Sequence, residues 1–341
     1  MENPYIKQYP ELLTGKKILY VHGFGSSGQS GTVGRLREVF PEAIVIAPDL
    51  PIHPQEALDL LRQTCEAECP DLILGTSMGG MYTEMLYGYD RIVINPAFGI
   101  ADTMQEHGLT GKQQFFSPRR DGVQEFYVDK PLVKEYRAIC EQNFVHAEDA
   151  EEQQRVFGLF GDQDPLVHTR ELFLQHYPQA ISFHGEHRMN DHSFMHSIVP
   201  VMRWVDDRQS RRERPIIYIG IETMIDKWQK PTPSMMKAVR LLIEHYQVYF
   251  VAPAYTTDAA QFATTQAWLA EYVDTPAWCH TIYTNQRQLL YGDYLIETAS
   301  PLELAKEGQE PDLVATRIVY GSDTFKTWDD IISYFERLGG Q

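Results

Sequence analysis

Asp71-Leu72-Ile73-Leu74-Gly75-Thr76-Ser77-Met78-Gly79-Gly80 runs from a short apolar strand pattern into a G-x-S-x-G turn, and Met81-Tyr82-Thr83-Glu84-Met85-Leu86 continues it as a helix. A serine on a tight strand-to-helix turn has its hydroxyl held clear of the sheet. Small neighbours are needed there because the backbone is crowded. The stretch therefore predicts a strand–turn–helix unit of an α/β fold and makes Ser77 a candidate nucleophile.

The same rhythm extends on both sides. Lys17-Ile18-Leu19-Tyr20-Val21 precedes a Gly/Ser loop and a helix near residues 33–40, then come Ala43-Ile44-Val45-Ile46-Ala47, a helix over 55–68, and Arg91-Ile92-Val93-Ile94. Continuous apolar strands alternating with helices predict a parallel sheet covered on both faces. The rhythm fails over 98–154, a polar and aromatic segment that reads as a lid over the carboxyl ends of the strands. Its Phe115, Phe116, Phe126 and Tyr127 are candidates to line a pocket from above. The rhythm resumes at Val156-Phe157-Gly158-Leu159-Phe160 and Ala180-Ile181-Ser182-Phe183. The charged run from Asp206 to Pro215 reads as a solvated linker, and a fresh strand, Ile216-Ile217-Tyr218-Ile219, opens a second α/β alternation. The expected organisation is a first domain over 1–206 with the insertion 98–154, a linker over 207–215, and a second doubly wound domain over 216–341.

Composition narrows the function classes. A net charge of −17 over 341 residues disfavours nucleic-acid and anionic-membrane partners, which reward Lys and Arg. No apolar run approaches the roughly 20 residues that span a bilayer. Met1-Glu2-Asn3-Pro4-Tyr5 lacks the basic and apolar regions of a secretory leader. Four cysteines, at 65, 69, 140 and 279, are too scattered for a disulfide framework, and the Cys65/Cys69 pair has no second pair to complete a metal site. A cytoplasmic protein without metal or organic cofactor is the expectation.

A serine nucleophile needs a base, an orienting carboxylate and donors for the oxyanion. Past Ser77, the strand over 156–160 runs into Gly161-Asp162-Gln163-Asp164, and the strand over 180–183 runs into His184-Gly185-Glu186-His187. Both clusters fall at strand carboxyl ends, the edge that carries Ser77. The first strand ends in His22-Gly23-Phe24-Gly25, where the Phe24 amide can face the site, and the Met78 amide would be a second donor. His22-Gly23-Phe24 with Ser26-Ser27, Gly75-Thr76-Ser77-Met78-Gly79-Gly80, and Ile94-Asn95-Pro96-Ala97 resemble the small bacterial esterases of the YqiA type, within the α/β-hydrolase superfamily. The likeness covers about residues 16–205. It implies Ser77 as nucleophile, Phe24 and Met78 as oxyanion amides, and Asp164 as acid with Asp162 as rival. The base would be His187, after a Gly-x-His turn, or His192, in Asn190-Asp191-His192-Ser193-Phe194. The substrate implied is a small-molecule ester.

The second half has a different likeness. Ile217-Tyr218-Ile219-Gly220-Ile221-Glu222-Thr223-Met224-Ile225-Asp226, Pro231-Thr232-Pro233 and Leu289-Leu290-Tyr291-Gly292-Asp293-Tyr294-Leu295-Ile296 resemble the haloacid dehalogenase superfamily, nearest its 5′(3′)-deoxyribonucleotidase-like branch. That likeness implies an attacking Asp and a second Asp two positions on. Here those positions hold Gly220 and Glu222. Ala252-Pro253-Ala254 stands where a Ser/Thr is expected, Arg287 where a lysine is expected, and Glu297-Thr298 in place of an Asp pair. A glycine cannot form a phosphoaspartate. The expectation is a fold kept without its chemistry, with interdomain or protein contacts as the remaining role. A binding protein with two inactive domains, or a phosphatase running on Glu222 and Asp226, are the rival readings.

Overall fold

The computed structural model describes residues 6–225, 230–254, 258–299 and 314–339. The chain divides into two compact units, Met1–Ser210 and Arg211–Gln341.

Unit 1 opens with β1 (Lys17–Val21), α1 (Gly31–Val39), β2 (Ile44–Ile46), α2 (Pro54–Glu68), β3 (Leu72–Thr76), α3 (Met78–Glu84) and β4 (Arg91–Ile94). It continues with α4 (Ile100–Glu106), β5 (Gly111–Gln114), β6 (Glu125–Val128), α5 (Lys130–Cys140), α6 (Ala150–Arg155), β7 (Val156–Gly161), α7 (Arg170–Leu174), β8 (Ala180–Phe183), α8 (Asp191–Ser193) and α9 (Val199–Ser210), the last two joined by a π-helical turn over Phe194–Ile198. Six strands form one sheet in the order β2-β1-β3-β4-β7-β8, every neighbouring pair parallel. β3 and β4 are central, and Leu72, Ile73, Leu74, Ile92 and Val93 are fully buried there. With covering helices this is the α/β-hydrolase arrangement, and it puts the ends of β1, β3, β4, β7 and β8 along one edge.

The insertion after β4 carries structure that its composition conceals. β5 and β6 form an antiparallel hairpin, pairing Gly111 with Val128 and Gln114 with Glu125. The strand β5 is Gly-Lys-Gln-Gln, with no apolar residue, so its identity comes from its partner rather than from propensity. α5 is more legible: Asp129 accepts from the Leu132 amide at 2.9 Å, and Leu132, Val133, Tyr136 and Ile139 are buried along one stripe. At about 1.5–3 kcal/mol per large buried side chain, that stripe outweighs the cap.

Beneath the sheet edge lies a charged knot. Arg91, fully buried at the start of β4, donates to the Glu84 carbonyl and pairs with Glu152 of α6. The buried Glu84 carboxylate accepts from the Tyr177 hydroxyl at 2.6 Å, from Asn143 Nδ2 at 2.8 Å and from the Phe144 amide at 3.1 Å. Every one of these partners answers a charge taken out of water, so the end of α3 is fixed to the insertion.

The charged run after residue 205 differs from its expectation as a linker. Asp206 to Ser210 form the last turns of α9, and Asp206 is buried against Lys16 Nζ at 2.6 Å. The boundary between the units falls after Ser210, because a helix with a buried apolar face tolerates charge on its outer one.

Unit 2 runs β9 (Ile216–Gly220), α10 (Pro233–His245), β10 (Gln247–Ala252), α11 (Ala260–Tyr272), β11 (Thr281–Tyr283), β12 (Gly292–Thr298), β13 (Val314–Tyr320) and α12 (Trp328–Arg337). Its parallel sheet has the order β11-β10-β9-β12-β13. The chain reverses direction across the sheet between β9 and β12, which opens a crevice at their carboxyl ends.

Candidate active site

Ser77 sits between β3 and α3 with φ 54° and ψ −121°, a conformation that a residue with a Cβ adopts only under constraint. Two glycines supply the constraint. A Cβ at Gly79 would stand 2.0 Å from the Val21 carbonyl oxygen, and one at Gly75 would stand 2.1 Å from Thr83 Oγ1. No other residue fits either place, so α3 lies against the end of β1 and the serine is thrown up at the edge. The turn is tied to β4: Ser77 N donates to the Ile94 carbonyl at 2.9 Å, and Ala97 N donates to the Ser77 carbonyl at 3.0 Å.

Three of the sequence-selected residues meet there. Ser77 Oγ is 3.0 Å from His187 Nε2, and His187 Nδ1 is 2.7 Å from Asp164 Oδ2. The other oxygen of Asp164 accepts from the amides of Leu166 (2.8 Å) and Val167 (3.1 Å). Burial pushes the Asp164 carboxyl up. The hydrogen bonds from His187, Leu166 and Val167, with the attraction of the imidazole, outweigh it and hold the group below its ordinary value. With Asp164 ionised, Nδ1 carries the imidazole proton and Nε2 accepts from the serine hydroxyl.

The rivals lie elsewhere. Asp162 holds His184 Nδ1 at 3.1 Å and the Gly185 amide at 3.1 Å, away from Ser77. His192 is exposed in α8, its ring 4.5 Å from that of His196. The Asn190 capping box starts α8 and turns that histidine outward.

The loop after β1 passes beside the serine, where a Cβ on Gly23 would be 3.3 Å from Ser77 Cβ. Neither the Phe24 nor the Met78 amide donates to any group among the described residues. His22 fixes this loop. Its Nδ1–H donates to the Gly23 carbonyl at 2.9 Å, and its Nε2 accepts from the Leu50 amide at 3.1 Å. Burial drives the His22 pKa down to about 4.

The four lid aromatics divide by strand alternation. Phe115 and Phe126 turn inward, with ring centroids 4.5 Å apart, and Phe126 meets Phe24 edge-on at 5.2 Å. Phe116 and Tyr127 are about two-thirds exposed, at 65% and 66%. Phe116 instead carries the Arg188 guanidinium 5.0 Å above its ring.

Asn95 joins the site, though strand reading passes over it. Buried, at φ 45°, it directly follows β4. Its Nδ2 donates to the carbonyls of Glu186 (3.1 Å) and His187 (3.2 Å), and its Oδ1 accepts from the Gly161 amide at 2.7 Å. One side chain thus joins the serine turn, the β7 end that leads to Asp164 and the loop that carries His187. Its sequence signals were a polar residue just past an apolar strand and its place in the Ile94-Asn95-Pro96-Ala97 stretch, which by themselves assign it no partner.

In unit 2 the crevice between β9 and β12 is filled by ion pairs. Glu222 folds back over Gly220, so that a Cβ at position 220 would meet Glu222 Oε1 at 2.4 Å. Arg287 grips both Glu222 oxygens, at 2.6 and 2.7 Å, and lies 3.4 Å from the buried Glu297, which also binds Arg317 Nε at 2.6 Å. Asp226 lies outside the described residues. Among the described residues no three His, Cys, Asp or Glu side chains converge as a metal centre would require.

Two predictions follow from Asn95 and His22. Asn95→Asp retains the acceptor for Gly161 but loses both donors, and should lower kcat by about 10²-fold with little change in KM. Asn95→Gly relieves the positive φ and should show the same kcat loss; steady-state kinetics beside a urea unfolding curve separates this from loss of fold. For His22, the unfolded chain takes up a proton near 6.5 and the folded one only near 4. Between these values the unfolded state binds more protons, so stability falls as the pH drops through that window, by about 3 kcal/mol at ~1.4 kcal/mol per unit. Urea midpoints between pH 7 and 4 should show this slope in the wild type and a flatter one in His22→Gln.

Comparison with known proteins adds the family. The uncharacterised protein family UPF0227 matches residues 17–204, more than half of the chain. A Vibrio phage KVP40 protein named as a 5′(3′)-deoxyribonucleotidase is 20% identical over 166 residues, spanning 40% of this chain and 94% of that one. Among solved structures, Est1E from Butyrivibrio proteoclasticus is similar at 16% identity and a TM-score of 0.39, over 58% of this chain and 88% of that one. The esterase domain of a Rhodothermus marinus protein is similar at 15% identity and a TM-score of 0.38, with the same shares of 58% and 88%. The chain belongs to the UPF0227 family.

Proposed function

We propose that unit 1 is a serine hydrolase that cleaves carboxylic esters or related acyl bonds of small molecules. The observation that carries this reading is the unbroken chain Ser77 Oγ–His187 Nε2, His187 Nδ1–Asp164 Oδ2, at 3.0 and 2.7 Å, on a serine held in a left-handed turn.

In this reading His187 takes the Ser77 proton as Oγ bonds to the carbonyl carbon. The carbonyl electrons move onto oxygen, and the free Phe24 and Met78 amides donate hydrogen bonds to the resulting oxyanion. Collapse of that adduct breaks the ester C–O bond, and His187 returns its proton to the leaving alkoxide. Water then repeats the sequence: His187 removes its proton as the water oxygen bonds to the acyl carbon, the Ser77 Oγ–acyl bond breaks to release the acid, and His187 returns the proton to Ser77 Oγ. Asp164, ionised and buried, keeps the proton on Nδ1 and stabilises the imidazolium of each adduct.

Ser77→Ala should abolish both ester hydrolysis and labelling by a fluorophosphonate probe, with turnover down by about four orders of magnitude or more. His187→Ala should behave alike, whereas His192→Ala keeps most activity. Full activity in Ser77→Ala, or a reversal of the two histidines, would overturn the assignment. A chain that binds esters but neither turns them over nor labels would be a binding protein.

For unit 2 we propose a domain without phosphoryl transfer, retained for protein contacts. Glycine at 220 offers no nucleophile, and Arg287 occupies the Glu222 carboxylate that would otherwise move a proton. The full chain should release no phosphate from nucleoside monophosphates with or without magnesium, and Gly220→Asp should not gain it, since a Cβ there crowds the Glu222 carboxylate and Ala252 and Thr298 supply neither the hydroxyl donor nor the metal ligand the reaction uses. Magnesium-dependent release that disappears in Glu222→Gln would reverse this.

A further inference from the structure

Arg188 follows the base directly, and the backbone that carries it is tied down. Asn95 Nδ2 holds the carbonyls of Glu186 and His187 at 3.1 and 3.2 Å, the second belonging to the peptide that leads into Arg188. From this anchor the guanidinium carbon lies over the Phe116 ring, 5.0 Å from its centre. Phe116 in turn sits on the loop after β1. Its amide donates to the Gly25 carbonyl at 2.7 Å, and a Cβ on Gly25 would meet its Cε2 at 2.9 Å.

These contacts close a ring around the serine. Ser77 Oγ is 3.0 Å from His187 Nε2 on one side, and a Cβ on Gly23 would be 3.3 Å from Ser77 Cβ on the other. Gly23 and Gly25 are two residues apart, so their Cα atoms are separated by about 7 Å at most. Arg188 and Phe116 join the two sides, while Ser77 itself stays half-buried rather than closed off. The exposed guanidinium therefore stands on the rim of the site.

Its charge meets no counter-charge. A guanidinium carries five N–H donors and no acceptor. Among the described residues, none of the Arg188 donors meets a protein acceptor, and the ring of Phe116 is its partner. The neighbouring carboxylates are engaged elsewhere or apart from it: Asp164 serves His187, Asp191 pairs with Arg35, and Glu186 forms no ion pair with Arg188. Phe116 does not need the arginine, because its backbone is bonded to Gly25 without it. The ring instead steers the guanidinium over the rim. A planar fork of this kind takes a carboxylate or phosphate on two parallel hydrogen bonds. The net charge of −17 does not cancel it, since charges beyond about 8 Å are largely screened at physiological salt.

Resting on the hydrolase reading, we infer that unit 1 prefers esters that carry an anionic oxyacid group, and that Arg188 is the residue that binds it. The test is kcat/KM of the full chain on two matched pairs. One is p-acetoxybenzoate against its methyl ester, with the charge on the alcohol. The other is p-nitrophenyl hydrogen adipate against its methyl ester, with the charge on the acyl group. The anionic-to-neutral ratio is read in the wild type, Arg188→Gln and Arg188→Glu, with fluorophosphonate labelling of Ser77 in parallel to report an intact site. In at least one pair the ratio should fall about tenfold in Arg188→Gln, the loss expected of a charged hydrogen bond, and further in Arg188→Glu. The pair that responds tells which half of the substrate bears the anion. Raising the salt from roughly 0.05 to 1 M should shrink the wild-type ratio in that pair. Labelled Ser77 with the same ratios in all three proteins overturns the inference and leaves the hydrolase reading standing. Equal losses on the anionic and neutral members also overturn it, since they would mark Arg188 as merely structural. Absence of labelling and of turnover on every ester overturns the hydrolase reading and this inference with it.

Discussion

The contact of Gly79 with the Val21 carbonyl is the constraint on which unit 1 depends. A side chain at Gly79 would overlap that oxygen, so α3 packs on the end of β1 only with glycine there. The approach forces Ser77 to positive φ, and the strain is held by bonds to Ile94 at the end of β4 and Ala97 just beyond it. It also brings the β1 loop beside the serine, leaving the Phe24 and Met78 amides free. One close approach of backbone to backbone thus sets the serine and both candidate donors.

Asn95 extends that constraint to the other half of the site. His187 lies on a loop after β8, and Asp164 on one after β7, with no regular structure of their own to hold them. Asn95 bonds to the carbonyls of the first and to the amide at the root of the second. The charged knot of Glu84, Arg91 and Glu152 performs a parallel task below, where α3 ends against the insertion. Polar groups buried with their partners orient this site more than apolar packing does, since apolar contacts tolerate small slips and hydrogen bonds between fixed groups do not.

The two units show opposite outcomes at similar places, the carboxyl ends of parallel strands. In unit 1 the polar groups converge on an accessible serine with two amides left unbonded. In unit 2 the carboxylates of Glu222 and Glu297 are consumed by Arg287 and Arg317, and Gly220 is covered by Glu222. The difference is one of satisfied valence. Chemistry at such an edge requires a polar atom left without an internal partner.

The sequence by itself determined the alternation of strands and helices, the strand-to-helix turn at Ser77, and the placing of Asp162, Asp164, His184 and His187 at strand ends. These follow from apolar period, glycine spacing and chain order, which are local. Tertiary structure alone decided which acid and which histidine face the serine, because Asp162 and Asp164 differ only in the direction their loop gives them. It also decided the β5–β6 hairpin, whose first strand has no apolar residue, and the splitting of the four lid aromatics into two that turn inward and two that face solvent. The helical turn through Asp206 and Ser210 was hidden because a charged run reads alike as linker or as outer helix face until its inner face finds a partner. Side-chain direction and burial are relations between distant segments, and no window of sequence contains them.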